Sequence, residues 1–198
     1  MADLTFATPA GQTIDRELLI AYLDTGTTDS PVLSAIGKRV EDSSEEYDWS
    51  QESKKDIMGN TFTTMKKPTV TQSFDPIPLD AGDPAAVKLW NLGIKDQDVQ
   101  ALANQKMVIA HLYATNGEAK FAESYDSCAI AITSIGGEGG GTINIATDIT
   151  YGGTRTLGTI KKGSNGAMTF TADAEAYQRA GKNPPFDERR ANRERDKT

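Results

Sequence analysis

The sequence predicts a mainly β protein, on two observations. Its 198 residues include 22 threonines, eight of them between residues 142 and 171, and β-branched residues fit the pleated, half-buried surface of a sheet. Short segments also alternate apolar and polar residues, which is the pattern of a strand with one buried and one wet face. A single helical segment is predicted to interrupt these strands.

The clearest strand is predicted over residues 142–151. Its apolar side chains fall on alternate positions from Ile143 to Tyr151, so that face is predicted to be buried and the face with Ala146 and Asp148 to be wet. Further strands are predicted over residues 18–23, 35–49 with gaps, 62–74, 107–115, 121–135, 154–160 and 168–171.

Residues 83–104 carry the signals of helices instead. Asp83 is a helix N-cap residue, Pro84 suits the first helical position, and Gly93 is predicted to end the helix. A second short helix is predicted to begin at Asp96, so that Gly93 forms the elbow between the two.

The chain is predicted to be one domain, residues 14–179, with two arms. Residues 1–13 form an N-terminal arm, and residues 180–198 form a disordered, charged arm because they contain two consecutive prolines and no apolar periodicity. Residues 136–141 are five glycines and one glutamate. They predict a mobile hairpin loop between two strands.

Charge and composition argue against several classes of function. The net charge of −7 argues against a protein that grips nucleic acid, since such affinity comes from Lys and Arg neutralising phosphates. One cysteine and one histidine leave neither an intramolecular disulfide nor a Cys/His zinc cluster. No stretch approaches the roughly 20 apolar residues of a membrane span, and the first residues lack the regions of a secretory signal. A soluble protein that folds in a cytoplasm, without metal or cofactor, is predicted.

The most enzyme-like motif is Asp24-Thr25-Gly26, which resembles the signature of aspartic proteases. Two such aspartates must share a proton, so this chain, with one copy of the motif, would have to act as a dimer. The residues that follow are acidic and almost free of glycine, unlike the flap of that family. We therefore interpret the motif as a strand that ends in a polar turn, and predict no enzyme.

Three further candidates receive structural interpretations. Residues 153–159 have the glycine spacing of a phosphate loop, but a threonine stands where the lysine belongs. His111 alternates with apolar residues in a strand and is interpreted as a packed or surface side chain. Cys128 has no basic neighbour that would activate its thiol, so it is interpreted as a small core residue.

Residues 41–60 are predicted to form an acidic hairpin. Seven carboxylates between residues 41 and 56 face two lysines. Glu45, Tyr47 and Trp49 occupy alternate positions, which indicates extended arms that project large aromatic side chains. Exposed Tyr and Trp are enriched at protein interfaces, so two interpretations stay open: a solvated loop and an interaction loop.

Several of these features follow one another in order across residues 15–171. They are the strand that ends at Asp24-Thr25-Gly26, the strand Ile36-Gly37-Lys38-Arg39-Val40, the hairpin with Asp56-Ile57-Met58-Gly59, the helix entry marked by Pro76, Pro78 and Asp83-Pro84, the strand over residues 107–114, and the terminal strands with Gly158-Thr159. In this order the chain resembles the major tail tube proteins of long-tailed, non-contractile bacteriophages.

The resemblance implies a twisted two-sheet β-sandwich or rolled barrel with one flanking α-helix and extended arms. It implies that copies of the chain close into rings of six and that the rings stack into the virion tail tube through which double-stranded DNA is ejected without tight binding. The implied partners are the chain itself and the tape measure, tail-tip initiator and tail terminator proteins, with no membrane. Assembly would take place in the cytoplasm of the bacterial host. Contacts between subunits or rings are predicted at Glu45, Tyr47, Trp49, Ile57 and Met58.

Two alternatives stay open beside this interpretation. Contractile-tail tubes and secretion-system tubes share the family fold. A β-sandwich binding module, such as a head decoration or glycan-binding domain, is an alternative from another class. Such a module would need a concave sheet with exposed aromatic side chains, whereas the Trp and Tyr residues here are scattered along the chain.

Overall fold

The computed structural model describes residues 4–27, 30–116, 119–163 and 166–173. Within this part of the chain the strands form one large antiparallel sheet and one small two-stranded sheet, so the predicted mainly β fold is confirmed. The predicted N-terminal arm is described only from residue 4. The predicted C-terminal arm, residues 180–198, lies outside the described residues.

Each predicted strand segment overlaps at least one observed strand, but residues 36–40, which were predicted to form a strand, lie outside the observed strands. The segment 35–49 overlaps β3 and contains β4, and the segment 62–74 is divided between β6 and β7. The strands are β1 Thr5–Phe6, β2 Leu19–Asp24, β3 Leu33–Ala35, β4 Glu45–Asp48, β5 Glu52–Lys55, β6 Thr61–Thr64, β7 Thr69–Pro78, β8 Gln105–Asn116, β9 Ala119–Gly136, β10 Asn144–Tyr151, β11 Arg155–Lys162 and β12 Met168–Ala172.

Six of the strands close into a ring. β8 pairs with β2 on one side and with the first half of β9 on the other, and the circuit is completed through β3, β12 and β11. The link between β3 and β12 is the single pair Leu33–Met168. Apolar side chains of this ring form their own core cluster, which includes Tyr22, Val108, Ala110, Ala122 and Ile160. This part of the fold is a rolled barrel.

β9 is long enough to serve two sheets. Residues 120–125 pair with β11, whereas residues 129–136 pair with β10. β10 then pairs with β7, and β7 with β4. We call the resulting layer, in the order β9-β10-β7-β4, the four-stranded sheet. Its inner face packs on β2, β8 and the helix α1 in the larger core cluster, which includes Leu23, Phe74, Leu89, Met107, Ile109, Ile130 and Ile149.

The predicted alternation of β10 is confirmed over most of its length. Ile145, Thr147, Ile149 and Tyr151 are buried and Asp148 is exposed. Two positions were predicted wrongly, and both have a local cause. Ile143 precedes the first strand residue and is 57% exposed. Ala146 is buried because the register shifts beside it, which is the signature of a β-bulge.

The helical segment consists of α1 Pro84–Trp90, a π-helical turn Asn91–Lys95 and α2 Val99–Leu102; a 3-10 turn, Arg16–Leu18, precedes β2. The predicted N-cap is confirmed, since Asp83 Oδ1 accepts the N–H groups of Ala85 and Ala86 at 3.0 and 3.4 Å. No helix in the described residues is long and apolar enough to cross a membrane.

Two predictions on this segment are wrong. Gly93 does not end the helix, because the π-helical turn runs through it. A Cβ atom there would collide with the side chain of Ile132 on β9, so the glycine permits close packing on the sheet. The second helix is capped by Asp98, whose Oδ1 accepts the N–H of Ala101 at 2.9 Å, and not by Asp96, which instead lies 3.4 Å from Lys95 Nζ.

Candidate functional site

The predicted acidic hairpin proves to be the start of a longer ribbon. β4 pairs with β7 and not with β5, while β5 pairs with β6. A hydrogen bond from the Lys66 N–H to the Trp49 carbonyl, 3.2 Å long, joins the two ladders. We call residues 49–68 the projecting hairpin. The predicted limits of 41–60 are wrong because the partner of β4 lies beyond the hairpin, on the four-stranded sheet.

The projecting hairpin is exposed from Trp49 to Lys67. Every residue of β5 and β6 is exposed, and these strands form a sheet of their own. At the tip Asp56 Oδ1 accepts the N–H groups of Met58 and Asn60 at 2.9 and 2.8 Å, which orders the turn. A two-stranded ribbon that is not covered is marginally stable in water. The hairpin therefore has the form of a segment that a partner would cover.

Apolar side chains lie along this hairpin without burial. Ile57 is fully exposed and Met58 is 82% exposed at the tip, while Trp49, Phe62 and Met65 are about half exposed along the arms. Apolar side chains that stay in water do not gain the stabilising free energy that burial would give them. Four of the five predicted contact residues thus lie on exposed surface, Tyr47 and Trp49 at the base and Ile57 and Met58 at the tip.

Glu45, the fifth predicted contact residue, takes part in a polar cluster instead. Its Oε2 accepts the Tyr47 hydroxyl at 2.7 Å, and its Oε1 is buried with no hydrogen-bond partner among the described residues. Burial raises the pKa of Glu45, and the hydrogen bond from Tyr47 opposes this rise only in part. Both partners of this hydrogen bond lie on β4, at the edge of the four-stranded sheet.

The rest of this cluster surrounds Glu123, which the sequence did not single out. Glu123 is 2% exposed, and its carboxylate contacts His111 Nε2 at 3.0 Å, the Tyr125 hydroxyl at 3.3 Å and Arg155 Nε. Burial acts to raise the pKa of Glu123, but the hydrogen bond from His111 and the charge of Arg155 outweigh it and lower that pKa. Tyr113 OH lies 2.8 Å from the other ring nitrogen of His111. His111 is confirmed as a packed side chain.

Replacing Glu45 by glutamine is expected to raise the melting temperature at neutral pH. The raised pKa of Glu45 means that the ionised carboxylate costs stability in the folded state, and this cost vanishes below the unfolded-state pKa of about 4.3, where both states are protonated. Calorimetry should show a gain of roughly 2–4 °C at pH 7 that disappears towards pH 4. The exposed neighbour, as Glu46→Gln, is the matched control. A lower melting temperature at pH 7 would contradict this account.

The outer face of the four-stranded sheet is uniform in character. In a sheet, alternate residues of one strand lie on the same face, and so do directly paired residues of neighbouring strands. By these two rules the pairings of β4, β7, β9 and β10 place nine residues together on the outer face. All are small or hydroxylated side chains or carboxylates, and none is a lysine or arginine. We call them the wall face: Glu46, Asp48, Thr69, Thr71, Ser73, Ala129, Ala131, Asp148 and Thr150.

The four-stranded sheet also has two open edges. Within the described residues β4 pairs with β7 alone, and residues 129–136 of β9 pair with β10 alone. Each edge presents unpaired backbone N–H and C=O groups, which are a template for pairing with another chain. No local motif in the sequence marks these edges, because they depend on which strands become neighbours.

The enzyme-like motif is confirmed as the end of a strand. β2 ends at Asp24, whose Oδ1 accepts the N–H groups of Gly26 and Val32 at 3.0 and 2.9 Å. The hydroxyls of Thr25 and Ser34 lie 2.7 Å apart across the same turn. The carboxylate therefore organises the connection from β2 to β3.

The remaining candidates also take structural places. Cys128 is fully buried, and burial raises the pKa of its thiol to about 11, so it is confirmed as a small core residue. Gly158, part of the phosphate-loop-like spacing, lies inside β11, where a Cβ atom would collide with Phe170 and Thr171. Residues 137–143 connect β9 to β10, as predicted for the glycine-rich hairpin.

Comparison with known proteins gives low similarity. No protein-family model and no curated protein matches the chain. The sheath/tube terminator of an extracellular contractile injection system, PVC, is 11% identical, with 75% of this chain and 99% of that chain covered and a TM-score of 0.49. The tube-terminating cap of the anti-feeding prophage is 14% identical, with 77% and 95% covered and a TM-score of 0.44. A chain of the PVC sheath–tube complex is 9% identical, with 76% and 94% covered and a TM-score of 0.44. TM-scores below 0.5 assign neither family nor function, which must be argued from the residues themselves.

Proposed function

We propose that this chain is the structural subunit of a phage tail tube. Its copies associate edge to edge into rings, six to a ring as the sequence resemblance implies, and the rings stack into a conduit for double-stranded DNA. The observation that carries the proposal is the four-stranded sheet, which combines two open edges with an outer face free of lysine and arginine.

The two open edges supply a way to form a ring. In the proposed assembly β4 of one copy pairs with residues 129–136 of β9 in the next copy. The contact is head to tail. Such a contact closes into a ring when the rotation that relates one copy to the next is a whole fraction of a full turn. The four-stranded sheets then continue into one another as a barrel with no edges. Closure thus removes the unpaired backbone groups that a single copy exposes.

The wall face supplies a surface along which DNA can slide. The core and the rolled barrel occupy the other side of the sheet, so the wall face lines the lumen of the proposed barrel. Its small side chains leave the lumen smooth, and the carboxylates of Glu46, Asp48 and Asp148 repel phosphates. Lysine or arginine contacts with phosphates would add affinity and slow the passage of DNA.

The projecting hairpin supplies the contact between rings. It extends beyond the end of the sheet and carries Trp49, Ile57 and Met58 in exposed positions. A contact between rings that does not close on itself generates a filament. In a virion tail built this way, a tape measure protein would fill the lumen during assembly, and initiator and terminator proteins would contact the first and last rings. Assembly in the cytoplasm of the bacterial host follows from the same proposal.

The proposal predicts that the purified chain forms rings or tubes as its concentration rises. Light scattering should show a threshold concentration, and negative-stain electron microscopy should show annular or tubular particles above it. A uniform monomer at all concentrations, also in the presence of a tail-tip complex that could nucleate growth, would contradict the tube. Such a result would favour the alternative of a β-sandwich binding module.

A further inference from the structure

The two ends of the four-stranded sheet expose different apolar surfaces. At one end the chain leaves Asp48 of β4 and returns at Thr69 of β7, so the projecting hairpin begins there. At the other end β9 and β10 are joined by the glycine-rich loop. Ile135 and Ile143 flank this loop, and they are 43% and 57% exposed. We call this pair the isoleucine rim.

The isoleucine rim continues the buried face of the sheet. Ile135 pairs directly with the fully buried Ile145, and Ile143 lies two residues before Ile145, so the two exposed side chains are diagonal neighbours on that face. The Leu79 N–H donates to the Ile143 carbonyl at 2.8 Å, which holds the backbone of Ile143 beside the end of β7. The rim is therefore an exposed apolar surface that continues the buried face of the four-stranded sheet.

The hairpin is long enough to span from one copy to the next. Nine residue steps lead from Asp48 to Ile57, which is at most about 30 Å of extended chain. In rings stacked with the same polarity, the hairpin end of one sheet faces the isoleucine-rim end of the sheet in the adjacent ring. The tip of one copy therefore lies within reach of the rim of the next copy.

We propose that Ile57 and Met58 of one copy pack on the isoleucine rim of a copy in the neighbouring ring. The inference rests on the proposed tube and names the surface that receives the hairpin. A second copy is the occupant because both apolar surfaces belong to one chain and lie at opposite ends of one sheet, so the contact repeats from ring to ring. Lys54 is ion-paired with Glu52 at 3.0 Å within the hairpin, which leaves Lys55 as the lysine beside the tip that can face Glu138 of the glycine-rich loop.

Disulfide cross-linking between two full-length variants tests the contact directly. Met58→Cys and Ile143→Cys are prepared separately, mixed, assembled and oxidised, and the disulfide-linked heterodimer is measured on a non-reducing gel. A disulfide needs Cβ atoms about 4 Å apart, so only residues in contact are joined. The native Cys128 is fully buried and stays in both variants. The control is Met58→Cys mixed with Val99→Cys, an exposed position on α2.

We expect at least about tenfold more heterodimer from the Met58/Ile143 mixture than from the control. Tubes that form without this excess would overturn the isoleucine rim while leaving the proposed function intact. Failure of the parent chain to assemble counts against the proposed function, and with it the rim.

A second measurement covers the case in which the cysteine variants do not assemble. Ile135→Asp combined with Ile143→Asp changes exposed side chains, so the monomer should keep its thermal transition. We expect its critical concentration for elongation to rise at least about tenfold, the change that loss of one buried apolar side chain produces. Elongation equal to that of the parent would overturn the inference.

Discussion

Tubes in which Glu46 and Asp148 are replaced by lysine are expected to hold DNA that the parent tubes leave in solution. Each copy loses two negative charges and gains two positive ones on the wall face, a net change of four, and a ring repeats this change around its lumen. Every phosphate neutralised by a lysine releases counterions, so binding should weaken with salt at a slope of about −0.9 per contact. Assembly with linear double-stranded DNA at low salt, followed by sedimentation, measures the DNA retained. Raising the salt should release it.

A variant with the same change in charge elsewhere is the control for this experiment. Asp15→Lys combined with Glu17→Lys alters two exposed residues before β2. Equal retention of DNA by this control would show that net charge, and not the wall face, decides binding. DNA binding by the parent itself at low salt, where screening is weakest, would contradict the conduit. All three proteins carry the same basic residues between 189 and 197, so these cancel in the comparison.

Local sequence patterns predicted the elements of the fold because each pattern acts over a few residues. The alternation in β10 and the Asp83-Pro84 entry to α1 depend on the strand period and on the cap bonds to Ala85 and Ala86. The role of Gly93 could not be predicted in this way. Its lack of a Cβ matters because of Ile132 on β9, and that neighbour is known only once the sheet and the helix are packed together.

The candidate site was predicted less completely, for the same reason. The exposure of Trp49 and Ile57 could be predicted because both lie in a segment of mainly charged and polar residues, and the structure shows both side chains exposed. The partner strand of β4 was missed because β7 returns only after the projecting hairpin. Glu123 was missed because its partners His111 and Arg155 come from two other strands. The wall face joins residues from four strands, so no single segment of the sequence could reveal it.

Truncating Trp49 to alanine is expected to leave the monomer folded and to block growth of the tube. Trp49 is 44% exposed and belongs to neither core cluster. Its contact with Lys66 is made by the backbone carbonyl, which alanine retains, so the thermal transition should not change. In the tube an adjacent ring would bury the indole. Loss of about 2–3 kcal/mol of hydrophobic free energy would then raise the critical concentration about 30- to 150-fold.

Two matched variants separate the possible roles of this side chain. Trp49→Phe keeps a large aromatic group and should restore part of the elongation, while Val99→Ala removes an exposed apolar side chain from α2 and should elongate like the parent. If Trp49→Ala lowers the melting temperature markedly, the indole stabilises the monomer and the contact between rings must lie elsewhere. If Trp49→Ala elongates normally, the base of the hairpin is a solvated loop. The tip residues Ile57 and Met58 would then have to carry the contact alone, and the cross-linking at Met58 would measure it independently of Trp49.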